Sequence, residues 1–127
     1  IDKTLQKKVE DLPELLKTNV ELVLGNHDVG CDIRNLKIFN IKKTKNIIFS
    51  HEPVNLENNK TLNICGHYHP KLYLKNNGDK LSLRCFAMDT KKNNLYLPAF
   101  GDLTGGYLCK KSFKKWAIIS DEKIIEI

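Results

Sequence analysis

Apolar residues Leu5, Val9, Leu12, Leu15 and Leu16 recur at helical spacing between Thr4 and Lys17. Pro13 falls inside that run. A proline in a helix interior lacks the N–H and clashes with the preceding turn, so the pattern predicts a helix that breaks or restarts there. The period then changes. Asn19–Leu24 is a short apolar run closed by Gly25, which predicts a buried strand. Leu36–Phe39 and Asn46–Phe49 predict two more strands joined by a lysine-rich turn, and Leu62–Cys65 predicts another. Beyond Lys71 the pattern is all-β. Lys71–Lys75 and Lys80–Phe86 flank Asn76-Asn77-Gly78-Asp79, a strong hairpin signal. Asn94–Phe100 is the next predicted strand, and Trp116–Ser120 with Lys123–Ile127 predict a hairpin across Asp121-Glu122.

Composition bounds the picture. The chain has 127 residues, 41% hydrophobic and 28% charged, which suits one globular domain and argues against disorder. No apolar run approaches the roughly 20 residues of a membrane span. The first twenty residues are charged throughout, so nothing there reads as a signal peptide. The expected location is cytoplasmic. The net charge is +6, and all but two of the 21 basic residues are lysines. That balance fits a polyanionic partner and equally a lysine-rich solvated surface. The densest cluster is Lys110, Lys111, Lys114 and Lys115 around Phe113 and Trp116, readable as a phosphate grip or as a solvated strand edge. Cys31, Cys65, Cys85 and Cys109 form no C-x-x-C, so zinc-ribbon and thioredoxin-type motifs are unsupported. Cys65 and Cys85 read as reduced core residues.

The candidate chemistry lies in the histidines. His27, His51, His67 and His69 each follow a predicted strand, and loops at strand ends are where rigid scaffolds present functional groups. A single histidine there is more often a surface or hydrogen-bonding residue. Four in equivalent places, beside Gly, Asn and Pro, point to a shared site. If Gly66–Pro70 were extended, His67 and His69 would share a face about 7 Å apart. That spacing suits two metal ions about 3.5–4 Å apart, one per histidine. Imidazole nitrogen and the amide oxygen of Asn26, with carboxylates added, favour manganese, iron or zinc over calcium or magnesium.

Three motifs in order resemble a known family. Gly25-Asn26-His27-Asp28 looks like the G-N-H-D/E motif of the calcineurin-like metallophosphoesterases. Ser50-His51-Glu52-Pro53 looks like their isolated metal-binding histidine, and Gly66-His67-Tyr68-His69-Pro70 like their terminal G-H-x-H. Arg84-Cys85-Phe86 and Leu97–Gly106 are similar to the subgroup related to SbcD-type DNA-repair nucleases and PdeM-type enzymes. The resemblance implies an α/β fold of two facing mixed β-sheets flanked by helices, a four-layer sandwich of which this chain holds part. It implies two divalent ions, manganese first, with iron and zinc as alternatives. Asn26, His51 and His67 would bind one ion and His69 the other. His27 would face the phosphate as the catalytic acid or charge stabiliser, and Asp28 would fix the loop. The implied substrate is a phosphodiester, DNA or a nucleotide. Leu97–Gly106 reads as a strand and glycine-rich turn closing the sheet, in preference to a substrate contact.

The family pattern also needs a D-x-H and a bridging G-D upstream of the opening helix. Neither stands in this sequence; Gly101-Asp102 follows the G-H-x-H. Two doubly charged ions about 4 Å apart repel strongly even at an effective dielectric near 20, and the ligands here are mostly neutral. The chain also opens on Ile1. The expectation is that residues 1–127 are the C-terminal portion of one metallophosphoesterase domain, completed by an N-terminal segment, and inactive or poorly soluble alone. The alternative is a noncatalytic remnant of the same fold that binds nucleic acid or protein.

Overall fold

In the computed structural model, residues 3–26, 32–56, 60–100 and 105–127 are described. Pro13 acts as expected. Helix α1 (Lys3–Glu10) stops at Asp11, and α2 (Leu12–Leu16) restarts with the proline in its first turn, where the missing N–H has no partner to lose. The run is thus two short helices. Lys17 closes α2 at a left-handed φ of 53°.

Strands β1 (Glu21–Val23) and β2 (Lys37–Phe39) form a parallel two-stranded sheet. Among the described residues the other nine strands form the second sheet. The chain passes from β2 through Asn40 into β3 (Ile41–Lys43), which pairs antiparallel with β4 (Ile47–Ser50). The expected lysine-rich turn is thus mostly strand. Only Thr44–Asn46 turn, pinned by the Thr44 N–H and Oγ1, which both donate to the Ile47 carbonyl. Lysine composition suggested a turn, but Ile41-Lys42-Lys43 has a neighbour to pair with, and pairing overrides propensity.

From β4 the sheet runs parallel through β5 (Leu62–Cys65) to β8 (Asn94–Tyr96). It turns antiparallel at β7 (Asp79–Asp89), β10 (Lys114–Ser120) and β11 (Lys123–Glu126). Strand β8 stops at Tyr96, short of the expected Phe100, because Pro98 cannot donate to a ladder. Of the lysine cluster, Lys114 and Lys115 pair with Met88 and Ala87 of β7, and the β10–β11 register begins after them at Trp116.

Strand β7 has two roles. Its last half joins β10 and β8, while its first half forms a hairpin arm with β6 (Pro70–Asn76) across Asn77-Gly78. Gly78 takes a φ of 89° and Asn77 of 48°, the paired left-handed conformations that tight hairpins need. Strand β9 (Tyr107–Leu108) pairs parallel with the root of β6.

The core joins Cys65, Leu72, Cys85, Ala87, Tyr96, Cys109 and Ala117. Cys65, Cys85 and Cys109 are buried thiols, as expected for the first two; Cys31 lies outside the described residues. Cys85 and Cys109 face each other at an Sγ–Sγ distance of 3.5 Å, and that contact, then burial, pushes the Cys85 thiol up. Burial pushes Cys65 from 9.0 up to about 12. Between those two values the unfolded chain has lost the Cys65 proton and the folded chain keeps it. Stability is therefore full below about pH 9 and falls above it, by up to about 1.4 kcal/mol per pH unit. Urea midpoints at pH 8 and pH 10 should show a drop that shrinks in Cys65→Ala; an equal drop in both would contradict this.

Candidate functional site

The site grows from two neighbouring strand ends. Strands β4 and β5 run parallel with Ser50 opposite Cys65, so His51 and Gly66-His67 leave the sheet side by side at its carboxyl end. Such strand ends are where open α/β sheets place ligands. The Gly66 N–H donates to the His51 carbonyl at 3.0 Å, carrying the ladder one step past the strands. His51 Nε2 and His67 Nδ1 then stand 3.1 Å apart, with ring planes inclined at 76°.

Asn63 fixes this register, and nothing in the sequence marked it. Its side chain is fully buried in β5. Nδ2 donates to the Ile48 carbonyl at 3.0 Å and to Ser50 Oγ at 2.9 Å, and Oδ1 accepts the Val54 N–H at 3.0 Å. Ser50 Oγ donates onward to the Glu52 carbonyl at 2.6 Å. One amide therefore holds both sides of the His51 turn. Asn63→Ala leaves the Val54 N–H without that acceptor and strips Ser50 and Ile48 of a donor, at a cost of about 3 kcal/mol. Urea unfolding measures the loss, and a cost under about 1 kcal/mol would show that the network is dispensable.

The Gly66–Pro70 segment is not extended. His67 has a φ of 64° and His69 of 51°, and the Tyr68 N–H donates to the Gly66 carbonyl at 2.7 Å. That is a three-residue turn centred on His67 in the rarer, strained hand. Left-handed φ at two non-glycine residues separated by one is a strain characteristic of functional loops. It removes the premise of the expected alignment of His67 and His69 along one extended face. Tyr68 anchors the turn: its hydroxyl donates to the Leu108 carbonyl at 3.2 Å, and its ring packs on Tyr96 and Tyr107.

Asn26, His51, His67 and His69 all line one open cavity of about 470 Å³, together with Gly105, Gly106 and Tyr107. The structure thus brings together all four residues expected to hold metal. His27 and Asp28 lie outside the described residues, as does Gly101-Asp102. Gly105 and Gly106 form a wall of the cavity, whereas the sequence read Leu97–Gly106 as closing the sheet. A Cβ on Gly106 would lie 2.4 Å from the His69 carbonyl oxygen and 2.8 Å from Lys71 Cγ, so this backbone approach needs glycine. Arg84 ties down the preceding segment, donating from Nη1 to the Ala99 carbonyl at 3.0 Å and the Phe100 carbonyl at 3.1 Å.

The donor set can be tested against a metal ion. Two imidazole nitrogens about 2.0–2.1 Å from one ion are about 2.9–3.4 Å apart for angles between 90° and tetrahedral. The 3.1 Å between His51 Nε2 and His67 Nδ1 lies in that range. The same distance serves a proton shared between the rings, so metal and proton are alternatives at this point. Among the described residues no three His, Cys, Asp or Glu side chains converge, so His51 and His67 fit as part of an ion's shell and neutral donors complete what is described. Gly106→Ala should force the His69 carbonyl and the Lys71 stem aside and cost about 1–3 kcal/mol in urea unfolding; an unchanged midpoint would show that the loop tolerates the shift.

No family model and no curated protein matches the chain. Among solved structures it is similar to the crystal structure of the Pseudomonas putida nuclease MPE, with a TM-score of 0.75 and 26% identity. The match covers 94% of this chain and 60% of that one, so the chain spans about three fifths of the nuclease's length. The expected fold class holds: an α/β chain, mostly strands in two sheets with few helices, consistent with part of a metallophosphoesterase-like domain. Among the described residues no helix is long and apolar enough to cross a membrane. The chain has a nuclease-like fold.

Proposed function

We propose that the chain is the C-terminal portion of a dimetal-dependent phosphodiesterase or nuclease of the calcineurin-like, SbcD-related and PdeM-like kind. The observation that carries the reading is that Asn26, His51, His67 and His69 line one cavity, with the His51 and His67 ring nitrogens at a shared-ligand distance. The nuclease neighbour supports a nucleic-acid or nucleotide substrate.

In this reading Asn26, His51 and His67 hold one ion and His69 holds the other. Manganese is the leading metal, with iron or zinc as alternatives, and the location is cytoplasmic. Bound ions would supply a hydroxide near neutral pH and offset charge on the phosphate. The protein's share is positioning. The Asn63 network and the strained turn at His67 set the imidazoles before substrate arrives, so little reorganisation is left for the reaction. His27, one residue beyond Asn26, would face the phosphate and donate a proton or hydrogen bond to the leaving oxygen. The missing carboxylates would come from an N-terminal segment carrying D-x-H and G-D.

The intact protein should hydrolyse bis-p-nitrophenyl phosphate with manganese, lose activity in EDTA, and lose at least a hundredfold in kcat/KM in His67→Ala. Binding of DNA with no turnover in manganese, iron or zinc would instead support the noncatalytic remnant.

A further inference from the structure

The β6–β7 arm sorts its residues sharply between its two faces. Directly opposed residues of an antiparallel pair share a face. The register pairs Lys71 with Arg84, Tyr73 with Ser82 and Lys75 with Lys80 on one face. Leu72 with Leu83, Leu74 with Leu81 and Asn76 with Asp79 occupy the other. One face thus carries four cations, a tyrosine and a serine with no acid. The arm's single carboxylate, Asp79, is on the opposite face.

Packing alone does not account for that face. Lys75 and Lys80 are exposed and directly opposed, and like charges in that relation destabilise a strand pair. Among the described residues no salt bridge engages Lys71, Lys75 or Lys80. The Lys80 ammonium sits 3.8 Å from the Tyr73 ring centroid, which holds it over this face. The face also begins at the site. Lys71 is two residues beyond His69, and its stem lies against Gly106 on the cavity wall. From Lys71 to Lys75 the strand advances four residues, about 13 Å. The Lys110–Lys115 cluster is less suited, because the Lys115 ammonium donates to the Phe113 carbonyl at 3.1 Å.

We propose that the Lys71–Lys75–Lys80 face of this arm is a track for a nucleic-acid backbone, which it delivers to the His51–His67 cavity. This deepens the nuclease reading and rests on it. The ligand chemistry is a run of phosphodiesters on a single strand. Contact is through charge and hydrogen bonds to phosphate, so the track discriminates little between base sequences.

The test separates the track from the chemistry by measuring binding in EDTA, where no metal-dependent cleavage occurs. Fluorescence anisotropy of a labelled single-stranded DNA 12-mer is followed against salt for the intact protein. Lys75→Ala/Lys80→Ala should weaken binding at least tenfold and lower the salt slope by about 1.4, two phosphate contacts at about 0.7 each. Lys91→Ala/Lys92→Ala removes the same charge from an exposed turn elsewhere and should retain both affinity and slope. Lys75→Glu, which sets opposite charges across the arm and so favours its pairing, should also lose binding. Lys75→Arg/Lys80→Arg should restore it. Equal weakening by the two alanine pairs, or an alanine or glutamate variant of the arm that binds like the unaltered protein, would overturn the proposal. So would no binding by the unaltered protein, while manganese-dependent hydrolysis of the small diester would still stand on its own. Lost binding in the arm variants with no hydrolysis by any protein would keep the track and remove the chemistry.

Discussion

The geometry of the site depends on one buried amide. Asn63 sits inside β5 and spends its hydrogen bonds across the parallel neighbour, on Ile48 and Ser50, and on the backbone past His51 at Val54. A parallel pair alone would fix the strands but not the turns that leave them. The amide joins strand to turn, and a buried polar group with its partners missing is costly enough to leave few alternatives. The 3.1 Å approach of His51 and His67 follows from that constraint together with the bond from Gly66 to the His51 carbonyl.

A second constraint acts from the opposite side. The turn at His67 holds a backbone conformation that non-glycine residues seldom take, and Tyr68 keeps it there. One residue of the motif is locked into an aromatic cluster with Tyr96 and Tyr107 while its two neighbours face the cavity. The spacer in Gly66-His67-Tyr68-His69 is therefore structural. Tyr96 belongs to the hydrophobic core and Tyr68 packs against it, so perturbing the core should disturb the histidines without touching them.

The histidine motifs were legible because each follows an apolar run, and apolar runs make strands. The hairpin at Asn77-Gly78 was legible because those residues tolerate positive φ. Asn63 was not, since an asparagine within Leu62–Cys65 looks like an ordinary interruption of a strand and gains meaning only from the strand beside it. Gly106 was not, because its need for glycine arises from a backbone 37 residues away in the sequence at His69. Strand β9 was too short to carry a periodic signal, and β3 was hidden by its lysines. The turn at His67 was not legible, because local sequence does not announce strain imposed by tertiary anchoring. His27 and Asp28 lie beyond the described residues, so their side of the site stays a matter of resemblance.

The arm's two faces have a consequence for how such a chain can change over generations. Alternation along a strand makes parity the carrier of information. Lys71, Tyr73 and Lys75 agree in parity with one another and, through the register, with Lys80, Ser82 and Arg84. Substitutions can erode the basic face one charge at a time. A single-residue insertion or deletion within either strand would instead exchange the faces beyond it, moving leucines onto the basic face and lysines onto the other in one step. Length changes in the arm are accordingly admissible in pairs of residues or confined to the turn.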